Sequence, residues 1–397
     1  MAVRVPKGYL VAGVHCGLKR DLRKPDLSLI VSEVPATAAG VYTQNIVCAA
    51  PVQLDRRRTP SNRIRVVVIN SGNANACTGE RGLRDAEEMA RLAGKAVGAE
   101  EDQVLVMSTG VIGVYLPMEK IAHGIELAAA RLGNDEEALI MAARGMMTTD
   151  TVYKLSGRTL SLARREIQIT GMVKGAAMMG PNLATMLGVI FTDATLEVDT
   201  AQQLLREVVD DTFNCINVDG HTSTNDTVLF LANGAAGGPP LVGDLLDDFK
   251  QAFHSLCTEL ARMIPADGEG ATHLITIEVR GCRTRADALQ IARAIANSPL
   301  VKAAIHGADP NWGRIVSAAG YANVPFDPNK MTLYLNGTCL YRDGTPVKFD
   351  EIEVSNSIRA ERETRIELIF QEGSASGRFW TTDLTPEYVR LNAEYRT

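Results

Sequence analysis

The sequence predicts an α/β fold in which sheets and helices are stacked in layers. Short runs rich in β-branched and aromatic residues are bounded by Gly, Asn or Asp, and longer segments with helical periodicity lie between them. The two kinds of segment follow one another in a mixed order, which favours a layered sandwich over a single doubly wound sheet. With 397 residues, 46% of them hydrophobic, the chain can bury a large core.

The individual elements follow from composition and periodicity. Residues 200–213 place their apolar side chains on one helical face, and Thr200 with Gln203 predicts a capping box at the start of that helix. Pro386 suits the first turn of a C-terminal helix. Further helices are predicted at 83–97, 118–132, 244–264 and 287–296. Strands are predicted at 65–69, 159–163, 167–170, 228–232, 274–279, 332–336 and 365–370.

Charge and hydropathy exclude several classes of protein. The net charge of −6 gives no reason to expect a nucleic acid or an anionic membrane as partner. The apolar runs are shorter than the roughly 18 residues of a membrane helix, and the patch at 9–14 is too short for a signal peptide. The seven cysteines are odd in number and never spaced as CxxC, as is usual in a reducing compartment. We therefore expect a cytoplasmic protein.

The common catalytic motifs are missing from the sequence. There is no HExxH, GxSxG or P-loop motif and no GxGxxG that opens a helix, and the scattered histidines give no reason to expect a metal. The segment DGHTSTND (219–226) contains His221, Ser223 and Asp226, which leaves a Ser-His-Asp triad open. Residues two apart rarely face one another as a triad requires, so a polar turn before the strand at 228 is favoured.

Several loops are rich in small residues that form hydrogen bonds. Glycines let backbone N–H groups approach a ligand, and arrays of N–H groups favour anions or oxyanions. One such loop is weak evidence, but five in one chain predict a pocket assembled from many loops. The five are NSGNANACTG (70–79), MSTGVIG (107–113), TTDT (148–151), DGEGATH (267–273) and GADPNWGR (307–314).

Thr185 stands at the head of an apolar run in the segment KGAAMMGPNLATMLGVIFTDA (174–194). As a structural residue, it would simply start a buried strand. As a nucleophile it needs a base, and no His or Asp lies at a spacing that obviously supplies one. Cleavage of the Ala184–Thr185 bond would free an α-amine of pKa about 7.7–8.0 that could act as that base. From the spacing alone, the structural interpretation is favoured.

The same segments resemble the ornithine acetyltransferase family, whose members are also called bifunctional glutamate N-acetyltransferases of the arginine pathway. The similarity runs in order from Gly13 to Thr397 and is most specific in the Ala-Thr-Met-Leu and Thr-Ser-Thr-Asn-Asp runs. It includes NSGNANACTG, STGVIG with LPM (116–118), TTDT, KGxxMxxPNxATML (174–187), VDGxTSTND (218–226), DGEGAT, DPNWGRI (309–315) and NAEY (392–395).

The resemblance implies a self-cleaving enzyme with an N-terminal nucleophile. Its expected fold is a layered sheet-and-helix sandwich that is cut at Ala184–Thr185 into an α chain (1–184) and a β chain (185–397). Two α and two β chains are expected to form a heterotetramer. Acetyl would pass from N-acetylornithine to glutamate through acetyl-Thr185. No cofactor is implied, and whether acetyl-CoA is a second donor differs among family members and stays open here.

The resemblance also implies roles for individual residues. Thr185 is the nucleophile, and Thr109 with Gly110 forms the oxyanion hole. Substrate contacts are implied for Thr148, Lys174, Thr185, Glu269, Asn392 and Thr397. By charge, Lys174 suits a substrate carboxylate and Glu269 suits an ammonium group.

The sequence differs from the family pattern at three places, none of which is one of these site residues. Ala176-Ala177 stand where Ser-Gly is common, His221 where Asp is usual, and Tyr153 where Pro commonly precedes Lys154. Two other functions stay open. One is an N-terminal-nucleophile amidase or aminopeptidase that uses Thr185 with water as acceptor. The other is a non-catalytic metabolite-binding protein in which Thr185 is structural.

Overall fold

The structure is a computed structural model that describes residues 3–178, 180 and 186–394. The chain forms two compact units. The first contains the chain up to Asn214 together with His221–Ile264, and the second contains Cys215–Gly220 and the chain from Pro265 onward. Ala184, Thr185 and Thr397 lie outside the described residues.

The first unit is built on a mixed sheet flanked by helices. Its elements in chain order are β1 (Tyr9–Val14), β2 (Leu27–Tyr42), α1 (Ala50–Arg58), β3 (Ser61–Asn73), α2 (Gly79–Val97), β4 (Val104–Val111), α3 (Met118–Ala129), α4 (Glu136–Met146), β5 (Lys154–Leu162), β6 (Arg165–Lys174), β7 (Leu187–Thr192), α5 (Val198–Asp211), β8 (Thr227–Ala232) and α6 (Asp244–Ala266).

Strand order in this sheet is β4-β3-β2-β8-β7-β6-β5, and β1 also pairs with β2. The neighbours β3 and β4 run parallel, as do β7 and β8, whereas the other pairs are antiparallel. Strand β7 follows the predicted cleavage point directly and lies between β6 and β8. Parallel neighbours end at the same edge of a sheet, so the loops after β3 and β4 begin side by side.

The core of the first unit covers both faces of the sheet. On β3, Val67 and Ile69 belong to an apolar cluster that includes α4, whereas Val66 and Val68 belong to a cluster that includes α2 and α3. Successive strand residues point to opposite faces, so a strand covered on both sides is apolar at every position. This is why the run RVVVI is continuous rather than alternating.

The second unit is built on a six-stranded sheet of order β12-β11-β10-β13-β9-β14. Strands β9 and β13 are parallel, and the other pairs are antiparallel. Its elements are β9 (Leu274–Cys282), α7 (Arg285–Ala296), α8 (Pro299–His306), α9 (Trp312–Gly320), β10 (Met331–Leu335), β11 (Thr338–Arg342), β12 (Thr345–Pro346), α10 (Glu351–Ala360), β13 (Glu363–Phe370), β14 (Ala375–Thr382) and α11 (Pro386–Glu394).

The layered α/β fold predicted from the sequence is confirmed, and each predicted strand and helix coincides with an observed element. The capping box at Thr200 is wrong. Helix α5 begins at Val198 because Glu197 is the last extended residue (φ −69°, ψ 151°), so Thr200 is already inside the first turn. Over the described part of the chain, no helix combines the length and apolar character that crossing a membrane requires.

Candidate active site

The loops NSGNANACTG and MSTGVIG meet at the ends of two neighbouring parallel strands. In the register of β3 and β4, Ser71 lies opposite Thr109 and Gly72 lies opposite Gly110. The two loops are 37 residues apart in the sequence, from position 70 to position 107, and the parallel pairing brings their first residues together. The predicted oxyanion-hole pair therefore lies at a junction of two of the five predicted loops.

Gly110 occupies a position that no other residue fits. Its φ of +133° is outside the range that residues with a Cβ ordinarily adopt. A Cβ at this position would also lie 2.3 Å from the carbonyl carbon of Gly72 and 2.5 Å from the Asn73 nitrogen. Both neighbours are backbone atoms of the paired strand, which cannot move aside as a side chain could. The glycine is thus required for the close approach of the two strand ends.

Asparagine side chains hold the two strand ends in place. The Ser108 hydroxyl donates to Asn70 Oδ1 over 2.6 Å, and Asn70 Nδ2 donates to the Asn73 carbonyl over 2.8 Å. Asn225 Nδ2 donates to the carbonyls of Ala74 and Ser108, at 2.6 and 2.8 Å. The Thr-Ser-Thr-Asn-Asp run therefore closes a hydrogen-bond network around both loops. Such fully satisfied buried networks fix a single geometry.

Lys174 connects β6 to this junction. It is the last residue of β6 and is only 2% exposed, and its Nζ donates to the Thr109 Oγ1 over 3.1 Å. A lysine ammonium has no lone pair, so the Thr109 hydroxyl must accept in this bond and its own hydrogen stays available to donate. Thr109 is 5% exposed. The geometry gives a buried hydroxyl, polarised by a cation, that can donate to a negatively charged oxygen.

The TTDT loop is attached to the same strand end through Asp150. One carboxylate oxygen accepts from Lys154 Nζ and from the Gly175 N–H, both at 2.7 Å, and the other accepts from the Thr148 N–H at 3.0 Å. Burial alone would raise the pKa of Asp150, but the charges of Lys154 and Lys174 hold it at about 2. This carboxylate is therefore ionised at neutral pH and binds the loop to the residue that follows Lys174.

The start of β7 is anchored beside these residues. The Met186 N–H donates to Asp226 Oδ1 over 3.0 Å, and the Met186 carbonyl accepts from the Thr227 N–H over 3.1 Å. In the sheet, Leu187 pairs with Lys174 on one side and with Thr227 on the other. The chain that follows the predicted nucleophile is thus fixed next to the strand that ends in Lys174.

Asp226, a candidate triad member by sequence, anchors the start of β7 in the structure. Asp226 is fully buried, and its second oxygen, Oδ2, accepts no hydrogen bond from the described residues. Burial raises the pKa of Asp226 well above its usual value, although the Met186 N–H and the Lys174 charge act in the opposite direction. Asp226 ends the Thr-Ser-Thr-Asn-Asp run, but its role could not be predicted because its partner lies 40 residues earlier in the chain.

The polar segment DGHTSTND leads directly into β8, as the polar-turn interpretation predicted. Its members have separate partners: Asp226 accepts from Met186, the Ser223 hydroxyl accepts from the Asn225 N–H, and Asp219 accepts from the Tyr388 hydroxyl.

Two further predicted substrate residues, Glu269 and Asn392, lie in the second unit. Glu269 Oε2 accepts from Asn392 Nδ2 over 3.0 Å. The loop DGEGATH that carries Glu269 is held by Asp383, which accepts from the N–H groups of Thr272 and His273 at 2.9 Å. In GADPNWGR, by contrast, Asn311 caps α9 and Trp312 stacks on Tyr341, which gives that loop a structural role.

The structure therefore brings Thr109, Gly110, Lys174 and Thr148 together in the first unit, and it pairs Glu269 with Asn392 in the second. Predictions about Ala184, Thr185 and Thr397 concern positions outside the described residues. Within the described ranges, no group of three or more His, Cys, Asp or Glu side chains could hold a metal ion.

Comparisons with known proteins identify the family. The chain matches the profile of the ArgJ family over residues 10–397. It is 45% identical to the arginine biosynthesis bifunctional protein ArgJ of Rhodopirellula baltica, over 99% of this chain and 96% of that protein. A crystal structure of the protein of that name from Bacillus halodurans is 36% identical and has a TM-score of 0.51, over 52% of this chain and 98% of the solved chain.

A solved ornithine acetyltransferase from Mycobacterium tuberculosis, in complex with ornithine, is also similar. It is 37% identical over 45% of this chain and 95% of the solved chain, with a TM-score of 0.43. The resemblance stated from the sequence motifs is confirmed by the family match and by the identity along the whole chain. The chain belongs to the ArgJ family.

Proposed function

We propose that this protein transfers the acetyl group of N-acetylornithine to glutamate through an acetyl-Thr185 intermediate. The observation that carries the proposal is the hydrogen bond from Lys174 to Thr109, next to Gly110, at the junction of two strand ends. Acyl transfer passes through a tetrahedral oxyanion, and donors aimed at that oxygen lower its free energy. The Thr109 hydroxyl, which is obliged to accept from Lys174, supplies such a donor.

Self-cleavage is the first step of the proposed mechanism. The Thr185 Oγ adds to the Ala184 carbonyl carbon, the C–N bond breaks, and the Thr185 nitrogen takes the proton. Water then opens the resulting ester and leaves an Ala184 carboxylate and a free Thr185 hydroxyl. The products would contain 184 and 213 residues.

The lengths of the relatives support such a cut. The R. baltica relative matches along 99% of this chain, whereas nearly all of the solved B. halodurans chain aligns with 52% of it. A solved chain of about half length is the size expected of one product of a cut near the middle.

The freed amine of Thr185 then acts as general base for its own hydroxyl, because its pKa of about 7.7–8.0 is close to the working pH. The Oγ attacks the acetyl carbon of N-acetylornithine, and the proton passes through the amine to the departing nitrogen of ornithine. The glutamate amine next attacks the ester, which releases N-acetylglutamate and restores the Thr185 hydroxyl. Two half-reactions through a covalent intermediate give ping-pong kinetics.

Lys174, Thr148, Glu269, Asn392 and Thr397 are the proposed substrate contacts. Lys174 is a cation beside Thr109, and its charge suits a substrate carboxylate. The R. baltica relative is described as bifunctional, which supports a second reaction with acetyl-CoA as donor. We also propose that the α and β chains assemble as a heterotetramer in the cytoplasm.

The test is an assay of N-acetylornithine with and without glutamate, in which ornithine, N-acetylglutamate and free acetate are measured. The proposal predicts N-acetylglutamate in amounts equal to ornithine, and little acetate when glutamate is omitted. Acetate release at the full turnover rate without glutamate would identify a hydrolase that uses the same nucleophile. Unchanged activity in Thr185→Ala would contradict both functions.

A further inference from the structure

The DGEGATH loop (267–273), which carries the proposed ammonium contact Glu269, is attached at its end to one carboxylate. This carboxylate belongs to Asp383, which directly follows β14 and whose side chain is fully buried. Its Oδ1 accepts from the N–H groups of Thr272 and His273, and its Oδ2 accepts from the Thr272 hydroxyl over 2.5 Å. Three donors of the loop therefore converge on a side chain to which the mechanism above gives no role.

The middle of the loop is attached to the C-terminal helix α11. The Gly270 carbonyl accepts from Thr385 Oγ1 over 2.9 Å, and the same hydroxyl oxygen accepts from the Tyr388 N–H. Gly270 has a φ of +67°, and a Cβ there would lie 2.6 Å from the Tyr388 nitrogen. One turn further along α11, Asn392 Nδ2 donates to Glu269 Oε2. The position of Glu269 therefore depends on the attachment to α11 and on the attachment to the buried carboxylate.

Two histidines face the same oxygen of Asp383. His306 Nδ1 lies 3.0 Å from Asp383 Oδ2, and His273 Nδ1 lies 3.5 Å from it. His273 Nε2 lies 3.1 Å from the Ile358 carbonyl, which can only accept, so Nε2 carries a hydrogen. The other ring nitrogen of His273 can then donate only when the ring is protonated. The strength of the attachment at Asp383 therefore depends on the charge of His273.

The charges around the cluster favour the protonated form of His273. Its hydrogen bond with Asp383, opposed by burial, raises the pKa of His273 above its usual value. Burial alone would raise the pKa of Asp383, but the hydrogen bonds from His273 and the loop hold it at about 2. Two cations also face the cluster: Arg362 lowers the pKa of His273, and Lys302 is favoured in its charged form by Asp383. Loss of the His273 proton would thus remove a positive partner of an ionised carboxylate.

We propose that Asp383 is a positioning residue for acetyl transfer, which holds the DGEGATH loop so that Glu269 can bind the substrate ammonium group, and that the charge on His273 and His306 sets the strength of this hold. The inference rests on the acetyltransferase function proposed above and adds residues that set the affinity for its donor. The side-chain ammonium of N-acetylornithine stays charged near neutral pH, like that of lysine with a pKa of about 10.4. A change in its affinity near neutral pH therefore comes from the protein.

The variants that test the inference are Asp383→Asn and the double variant His273→Gln with His306→Gln. Asparagine keeps an oxygen for the two backbone N–H groups but removes the charge, and glutamine keeps a neutral polar group at each histidine position. The matched control is Asp327→Asn, since the Asp327 side chain accepts from the Asn329 N–H instead. Each protein is first checked for complete self-cleavage by intact mass. The KM and kcat for N-acetylornithine are then measured from about pH 6 to about pH 9, on both sides of the usual histidine pKa.

We expect Asp383→Asn to raise the KM for N-acetylornithine about tenfold at about pH 6, the scale of one charge-assisted contact, and to leave kcat within about twofold of the parent. In the parent, the KM should rise as the pH increases through the raised pKa of His273, because the protonated ring is lost above it. In the double histidine variant, the KM should be raised and should no longer change with pH. The control should follow the parent.

A double-mutant cycle with Glu269→Gln separates positioning from a general loss of structure. If Asp383 acts through Glu269, Asp383→Asn should raise the KM about tenfold in the parent but less than about twofold in the Glu269→Gln background. A general loss of structure would lower kcat as well, and its effect would persist in the Glu269→Gln background.

Two outcomes would overturn the inference and leave the proposed function intact. One is a KM and a pH profile like those of the parent in Asp383→Asn or, if that variant does not fold, in the double histidine variant. The other is an equal rise in KM with and without Glu269. Absence of any acetyl transfer by the parent protein would instead overturn the proposed function itself, and the inference with it.

Discussion

The Nζ of Lys174 donates a hydrogen bond to the Oγ1 of Thr109 over 3.1 Å, in a part of the site where both side chains are buried. The two residues are 65 positions apart and come from the ends of β6 and β4. Because lysine can only donate, the direction of this bond fixes the threonine hydroxyl as a donor to its next partner. The predicted oxyanion-hole residue is thus oriented by a predicted substrate residue.

Removal of the Thr109 hydroxyl should reduce turnover strongly. In other enzymes, loss of one oxyanion donor raises the activation free energy by about 2.7–4 kcal/mol. We therefore expect kcat to fall by about 10²–10³ in Thr109→Ala. Thr109→Ser is the matched control, since it keeps the hydroxyl, and should retain most of the activity. Steady-state rates of N-acetylglutamate formation check the prediction. Equal activity of the Ala and Ser variants would contradict the oxyanion role.

Gly110→Ala should destabilise the first unit much more than Gly113→Ala. Both glycines have positive φ, but a Cβ at Gly110 would meet backbone atoms at 2.3 Å, whereas nothing lies within 4 Å of one at Gly113. We expect the free energy of unfolding to fall by about 1 kcal/mol in Gly113→Ala and by about 3 kcal/mol or more in Gly110→Ala. Urea unfolding of both variants measures the difference. Similar decreases in unfolding free energy in the two variants would show that the close strand contact at Gly110 does not contribute to stability.

Asp226 should act through its hydrogen bond to the Met186 N–H rather than through its charge. Because burial raises its pKa, the neutral amide of Asp226→Asn is a close mimic and should preserve self-cleavage. Asp226→Leu leaves the buried Met186 N–H without its acceptor. This should lower the free energy of unfolding by about 1–3 kcal/mol and slow self-cleavage.

A time course of cleavage on denaturing gels distinguishes the two Asp226 variants. Slow cleavage in Asp226→Asn, as severe as in Asp226→Leu, would instead indicate that the carboxylate charge is needed.

The contribution of His273 to stability should depend on pH. The hydrogen bond with the Asp383 carboxylate raises the pKa of His273 above its usual value. The stabilisation is therefore fully present below the unfolded pKa of about 6.5, and it is lost as the pH rises through the raised pKa.

The measurement for His273 is the thermal midpoint of His273→Gln relative to the parent. The midpoint should fall more at about pH 5.5 than at about pH 8.5, which bracket the unfolded pKa. His123→Gln is the control, because no carboxylate of the described residues forms a salt bridge with His123. An equal fall in the thermal midpoint of His273→Gln at both pH values would contradict the ion pair between His273 and Asp383.

Local pattern was enough to predict elements whose residues interact with neighbours in the chain. The RVVVI run predicted β3, and the apolar face of 200–213 predicted α5. The start of α5 was misplaced because Thr200 is a good capping residue type, but the extended backbone of Glu197 begins the helix earlier. The order of strands in two sheets could not be predicted, since it depends on pairings between distant segments.

The same limit applies to the site. Thr109, Gly110 and Lys174 were identified by resemblance, but the bond between Lys174 and Thr109 depends on strand register. Asp150 and Asp226 both lie in family motifs, but their roles could not be predicted because each depends on a distant partner, Gly175 for Asp150 and Met186 for Asp226.

The role of Thr185 as a self-generated nucleophile is tested most directly by the intact mass of the denatured protein after brief exposure to N-acetylornithine, measured beside Thr185→Ala. We expect two fragments from the parent, of which the one that begins at Thr185 carries one acetyl group, and a single full-length chain without acetyl from the variant. A single full-length chain with no acetyl group in both samples would contradict the claim that Thr185 is a self-generated nucleophile.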